Sequence, residues 1–171
     1  MKNYILLLIT TILLESNSCS AQNFIDISRQ LEKKTSKAIN TKTVSFHDLR
    51  VALLKSGWLN FIDFTKDTLY ILESYDIQDG SYISRLWTRK SIIQYKYTKD
   101  GFDFNQKKLF TKFTIQLIQN WDTISIRKEE MLYSSSLPVY TIYGARIIFG
   151  SIPLIAYIRF KEFFYSKRDE Y

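Results

Sequence analysis

Apolar and polar positions along the chain alternate with two different periods. Residues 23–39 place Phe24, Ile27, Leu31 and Ala38 at spacings of three, four and seven, the pattern of an amphipathic helix. Arg29, Lys33, Lys34 and Lys37 occupy the remaining face, which reads as solvated, or as drawn to an anionic surface. Asn40-Thr41-Lys42 marks a break. Residues 45–56 predict the best-defined helix. Ser45 is placed as N-cap, with Asp48 three residues on as in a capping box. Val44 and Leu49 are spaced for a hydrophobic staple. Phe46, Leu49, Leu53 and Leu54 form the stripe, and Gly57 suits the position after the C-cap.

From Trp58 the period shortens. Trp58–Phe64 reads as a strand or strand entry. Leu69–Tyr75 reads as a second strand, with Leu69, Ile71 and Tyr75 on one face and Tyr70 and Leu72 on the other. Asp76–Gly80 makes a turn, and Tyr82–Thr88 and Ser91–Thr98 form a hairpin about Arg89-Lys90. Asp100-Gly101 is a turn dipeptide. Asn105–Asn120 returns to helical spacing, through Leu109, Phe113, Leu117 and Trp121. Thr123–Arg127 reads as a strand or a continuation of the helix, and the β-branched Thr123, Ile124 and Ile126 favour the strand. Met131–Pro138 reads as a surface connection. Tyr140–Phe149 and Leu154–Phe160 are the last two strands, followed by a turn of helix at Lys161–Tyr165 and a polar tail. The sum is an α+β fold: a mostly antiparallel sheet of five to seven strands packed against two or three helices.

The first residues follow another logic. After Lys2, Tyr4–Leu14 is an 11-residue, mostly apolar run. At 1.5 Å per residue it covers about half of a hydrocarbon core of roughly 30 Å, short for a span and suited to a signal peptide. Cys19 and Ala21 stand at −3 and −1 for cleavage before Gln22, which predicts residues 1–21 as a signal and 22–171 as a single α+β domain. Cleavage before Cys19 is the alternative and would make that cysteine a lipid anchor. Against this, Ser16 occupies the −3 position where lipoprotein signals carry an aliphatic residue, and Leu14 lies two positions too early. The expected location is therefore exported, periplasmic or secreted, with a membrane-anchored lipoprotein as the alternative. No transmembrane span is expected in the mature chain, and membrane contact only through Cys19.

Composition narrows the chemistry. The chain of 171 residues has one His and one Cys, which excludes clustered zinc, haem c or iron–sulfur ligation. No metal and no cofactor is expected. Five scattered glycines form no phosphate or dinucleotide loop. Asp100-Gly101-Phe102-Asp103 lacks the spacing of a calcium loop. Asp63 with Asp67, Asp100 with Asp103, and Glu129-Glu130 read as turn and surface carboxylates. His47, at a helix N-terminus, could serve as a neutral acid–base group. The body carries a net charge of +7, spread along the chain without a nucleic-acid motif, so no nucleic-acid partner is expected.

Aromatic content is the most distinctive feature, with 12 Tyr, 12 Phe and 3 Trp. Tyr and Trp on strands serve either cross-strand packing or a partner surface. Trp87, Arg89, Tyr95 and Tyr97 are the candidate binding residues, although alternation alone does not place them on one face. Arg146 joins them, following Gly144, a glycine that inside a strand signals a bulge or a close backbone approach. No catalytic residue is assigned. The expected function is an exported non-enzymatic protein that binds a protein or envelope component through an aromatic-bearing sheet face. The alternative is a small hydrolase using carboxylates or His47.

Overall fold

The computed structural model describes residues 22–35, 44–76, 80–106, 109–125, 127 and 140–162. These fall into two compact units, one ending at Lys66 and one beginning at Asp67. The expected signal segment with Cys19, the expected break at 40–42, the connection expected at 131–138, the segment 163–165 and the C-terminal residues lie outside the described residues.

In the first unit, α1 runs through residues 22–35 and α2 spans Phe46–Lys55. The capping box forms as its spacing predicts. Ser45 Oγ accepts from the Asp48 N–H, and the Asp48 carboxylate accepts from the Ser45 N–H. Gly57 closes the helix at φ +79°. The N–H groups of Trp58 and Gly57 donate to the carbonyls of Leu53 and Leu54, the two bonds of a Schellman motif. The strand expected at Trp58–Phe64 does not form. Once the Schellman turn reverses the chain, Asn60 and Ile62 donate to carbonyls three residues back, giving successive turns in which Leu59 and Ile62 are buried. Asp63 then accepts from the Thr65 N–H and pairs with Lys66. Phe24 of α1 packs on Phe64, ring centroids 5.0 Å apart.

The second unit is a six-stranded antiparallel sheet with one helix upon it. The strands are β1 Thr68–Asp76, β2 Ser81–Trp87, β3 Ile92–Thr98, β4 Gly101–Asp103, β5 Tyr140–Ile148 and β6 Leu154–Glu162, in the order β4-β3-β2-β1-β5-β6. The fold is α+β, with a strand number inside the expected range. The turn between β3 and β4 is Lys99-Asp100, one residue earlier than the dipeptide suggests, and Gly101 enters β4 at φ +106°.

α3 covers Lys112–Asn120, beginning seven residues later than its periodicity predicts. Thr111 caps it by accepting from the Thr114 N–H, while upstream Asp103 and Gln94 bind the backbone at Asn105 and Gln106 and hold that segment out of a helix. Leu109 and Phe110 still reach the core, from the loop. Residues 123–125 and 127 are helical rather than extended. Asp122 accepts from both the N–H and the hydroxyl of Ser125, and this local cap outweighs the β-branched residues that follow.

Sheet register sorts the side chains. Leu72, Ile83, Trp87, Ile142, Ile158 and Phe160 form one core with Leu117 and Ile118 of α3. On the opposite face Leu69, Ile71, Leu86, Tyr95 and Ile147 are also buried. This face carries a chain of ring contacts through Tyr75, Tyr82, Tyr97, Phe102 and Tyr95.

Candidate functional site: a guanidinium and aromatic row beneath the third helix

The register divides the residues that the sequence singles out. Tyr95 and Tyr97 share one face with Phe102, and Tyr95 is 0% exposed, so its ring serves packing. Arg89 is exposed in the turn between β2 and β3. Trp87 and Arg146 belong to the other face, and one residue joins them. Tyr70 lies directly opposite Trp87 on one side and directly opposite Arg146 on the other. At the usual inter-strand spacing the row Trp87–Tyr70–Arg146 spans about 10 Å.

The side chains in this row are layered. Tyr70 stacks on Trp87, with centroids 5.4 Å apart and planes 22° apart. Arg85, two residues before Trp87, sets its guanidinium 5.6 Å from the Trp87 ring centre. At the other end Arg146 lies 5.3 Å from the centre of the Trp121 ring. Trp121 ends α3 with φ 54°, the left-handed region that normally favours glycine. The bonds from Trp121 and Asp122 N–H back to Ile118 and Leu117 hold it there. The strained backbone thus delivers the indole to Arg146.

The polar atoms are less well provided for. Arg85 donates through Nη1 to Gln94 at 3.1 Å, but its Nε is buried without an acceptor. The Nε of Arg146 is likewise buried and unpaired, as is the indole Nε1 of Trp87, a residue only 6% exposed. Among the described residues neither guanidinium pairs with a carboxylate. Burial pulls Arg85 below its ordinary pKa, since removing water penalises the charged form. An arginine nevertheless stays charged in a protein. Two cations and three N–H donors therefore lie on one face of the sheet, with no carboxylate paired to either guanidinium among the described residues.

The other candidate chemistry lies elsewhere. His47 Nδ1 is 3.0 Å from Ser28 Oγ, and the His47 backbone N–H donates to Glu32. Ser28 is wholly buried and its hydroxyl also accepts from Arg50, so these contacts fasten α1 to α2. Asp63 and Asp103 bind their own turns. Among the described residues no group of three His, Cys, Asp or Glu side chains is placed to hold a metal. No described helix is long and apolar enough to cross a membrane.

Comparison with protein-family models, curated proteins and solved structures finds no match to this chain. The row is accordingly read from its own chemistry. Tyr70, Arg85 and Trp121 carry no motif. Strand pairing brings Tyr70 beside Trp87 and Arg146, alternation along β2 brings Arg85 to the face of Trp87, and the turn after α3 brings Trp121 to Arg146.

Proposed function

We propose that this chain is an exported, non-enzymatic binding protein that holds an oxyanion of its partner, a carboxylate or a phosphate, on the row formed by Arg85, Trp87, Tyr70 and Arg146. The observation that carries this reading is the set of buried, unpaired donors: Nε of both arginines and Nε1 of Trp87. A buried donor left without an acceptor costs about 1–3 kcal/mol, and more when charged. One oxyanion offers several lone pairs and matches the planar guanidinium fork. Tyr70 and Trp121 add flat apolar surface for whatever carries the acid group. Export follows from the signal-like first 21 residues and brings the protein to envelope components rich in such groups.

The test is a fluorescence titration of the purified protein in a Trp58→Phe background, since Trp58 is exposed and would mask the other two indoles. Inorganic phosphate and acetate are the two probes, and they separate the two oxyanion classes. Saturable quenching by one of them, weakening as chloride is raised, is expected. R85Q and R146Q should each weaken it about tenfold, within the range for a hydrogen bond to a charged group. Absence of saturable quenching with either probe, or an unchanged affinity in R146Q, would overturn the reading.

A further inference from the structure

Two turns leave the same end of the sheet. Trp87 of β2 pairs with Tyr70 and with Ile92, and Ile148 of β5 pairs with Thr68 and with Leu154. The β2–β3 turn, residues 88–91, and the β5–β6 turn, residues 149–153, therefore both lie beside the start of β1. Three inter-strand spacings separate them, about 14 Å. The first tip is cationic. Thr88 is buried and fixes the turn: its N–H donates to the Ser91 carbonyl and its hydroxyl accepts from the Lys90 N–H. Arg89 and Lys90 are left exposed, followed by Ile92 at 48% exposure. The second tip is apolar. Phe149 is buried and its N–H donates to the Asp67 carbonyl, which roots the turn. Ile152 is 80% exposed, Leu154 64% and Ile148 38%. Residues 88–92 and 148–154 contain no carboxylate side chain, and Asp67, between the tips, is partly buried. By register Ile92, Ile148 and Leu154 also share one face of the sheet.

We infer that this end of the sheet docks on an anionic lipid bilayer, with Ile152 and Leu154 entering the acyl boundary and Arg89 and Lys90 meeting the headgroup phosphates. An interfacial element buries its apolar residues roughly 5–10 Å into the headgroup and acyl boundary, a depth that a turn projecting past the strand ends can reach. Lysine and arginine beside it are drawn to the negative surface potential of anionic lipids. The net charge of +7 acts in the same direction at longer range. A protein partner fits the tips less well. Four apolar side chains divided between two tips offer less than the roughly 800 Å² per partner of a stable interface. A fluid bilayer needs no matching contour and accepts both tips at once. This contact needs no lipid on Cys19, and it does not rest on the oxyanion row.

Co-sedimentation of the full chain with vesicles reads the contact. The vesicles are phosphatidylcholine alone, or phosphatidylcholine with an equal amount of phosphatidylglycerol. Binding to the anionic vesicles that weakens with added salt is expected. I152S/L154S should weaken it about tenfold or more, and R89Q/K90Q should do so at low salt and remove the preference for phosphatidylglycerol. I124S removes an exposed apolar side chain outside the tips and should leave the affinity unchanged within about twofold. Every variant keeps the apolar run Tyr4–Leu14, so binding through that run alone would leave all of them equal to wild type. An environment-sensitive fluorophore on I152C, in a Cys19→Ser background, reads insertion directly. Its emission should shift to the blue with anionic vesicles, and the same label on I124C should not shift. Unchanged binding in I152S/L154S, no preference for phosphatidylglycerol, or an equal loss in I124S would overturn the inference. So would a blue shift that grows with protein concentration in the absence of vesicles, which would assign the tip to a second copy. Far-UV circular dichroism of each variant separates loss of docking from loss of the fold.

Discussion

Ile118 of α3 lies directly over Gly144 of β5. A methyl group built on Gly144 would stand 2.6 Å from Ile118 Cδ1 and 3.0 Å from Ile158 Cγ2, closer than carbon atoms approach. The glycine in mid-strand is thus a close approach of helix to sheet. The continuous pairing of β5 on both sides shows that it is not a bulge.

Gly144→Ala is therefore expected to destabilise the protein by about 1–3 kcal/mol, the usual range for overfilling a packed core. Ile118→Val removes the nearest clashing carbon, so the double variant should lose less than the two single changes added together. Urea denaturation midpoints at constant slope give the answer. Additive losses would show that Ile118 already moves aside.

Arg50 is wholly buried, and its Nη1 donates at 3.0 Å to both the carbonyl and the hydroxyl of Ser28. Arg50→Ala removes a long side chain and leaves these acceptors without that donor. A loss of about 3–5 kcal/mol is expected, as for breaking one side of a buried charged contact. Ser28→Ala keeps the carbonyl as acceptor and should cost about 1–3 kcal/mol. Chemical denaturation checks both, and a loss in R50A no larger than that in S28A would contradict the account.

Acid should weaken the fold through two carboxylates. Lys66 pairing, followed by the Thr65 hydroxyl and N–H, holds Asp63 well below the usual aspartate range. The Asn105 N–H, followed by the Gln106 side chain, lowers Asp103 in the same direction. A depressed folded-state pKa means that the folded protein binds fewer protons than the unfolded chain. The resulting stability is fully present above the unfolded value of about 3.9 and is lost as pH falls through the folded values. Urea midpoints should fall from about pH 5 to about pH 2, and Asp63→Asn and Asp103→Asn should each flatten this decline. Both side chains are only partly buried, and Asp63 alone of the two pairs with a cation, so added salt should reduce the contribution of Asp63 most.

Local signals were legible wherever the chemistry is local. Ser45 with Asp48, and Gly57 after the last apolar position, place both ends of α2, because caps are satisfied within a few residues. The extended segments read at 69–75, 82–88, 91–98, 140–149 and 154–160 find five of the six strands, and in 92–98 the alternation matches a half-buried strand. At Trp58–Phe64 backbone turns after α2 replace the expected strand, and two other errors fall where a side chain intervenes in the backbone. Gln94 and Asp103 bind the segment before α3, and the Asp122 cap turns Thr123–Arg127 helical.

The sequence by itself determined the α+β class, the caps of α2 and the positions of five of the six strands. All follow from contacts or periodicities within one segment. Tertiary structure alone decided which aromatic residues meet. Trp87 and Tyr95 differ by an even number, yet lie on different strands, and only the pairing of β2 with β3 sends them to opposite faces. The same pairing of β1 with its two neighbours inserts Tyr70 between Trp87 and Arg146. A left-handed residue at the end of α3 then brings Trp121 over Arg146. Strand register and turn geometry are set by the whole packed chain, so the site they assemble has no linear signature.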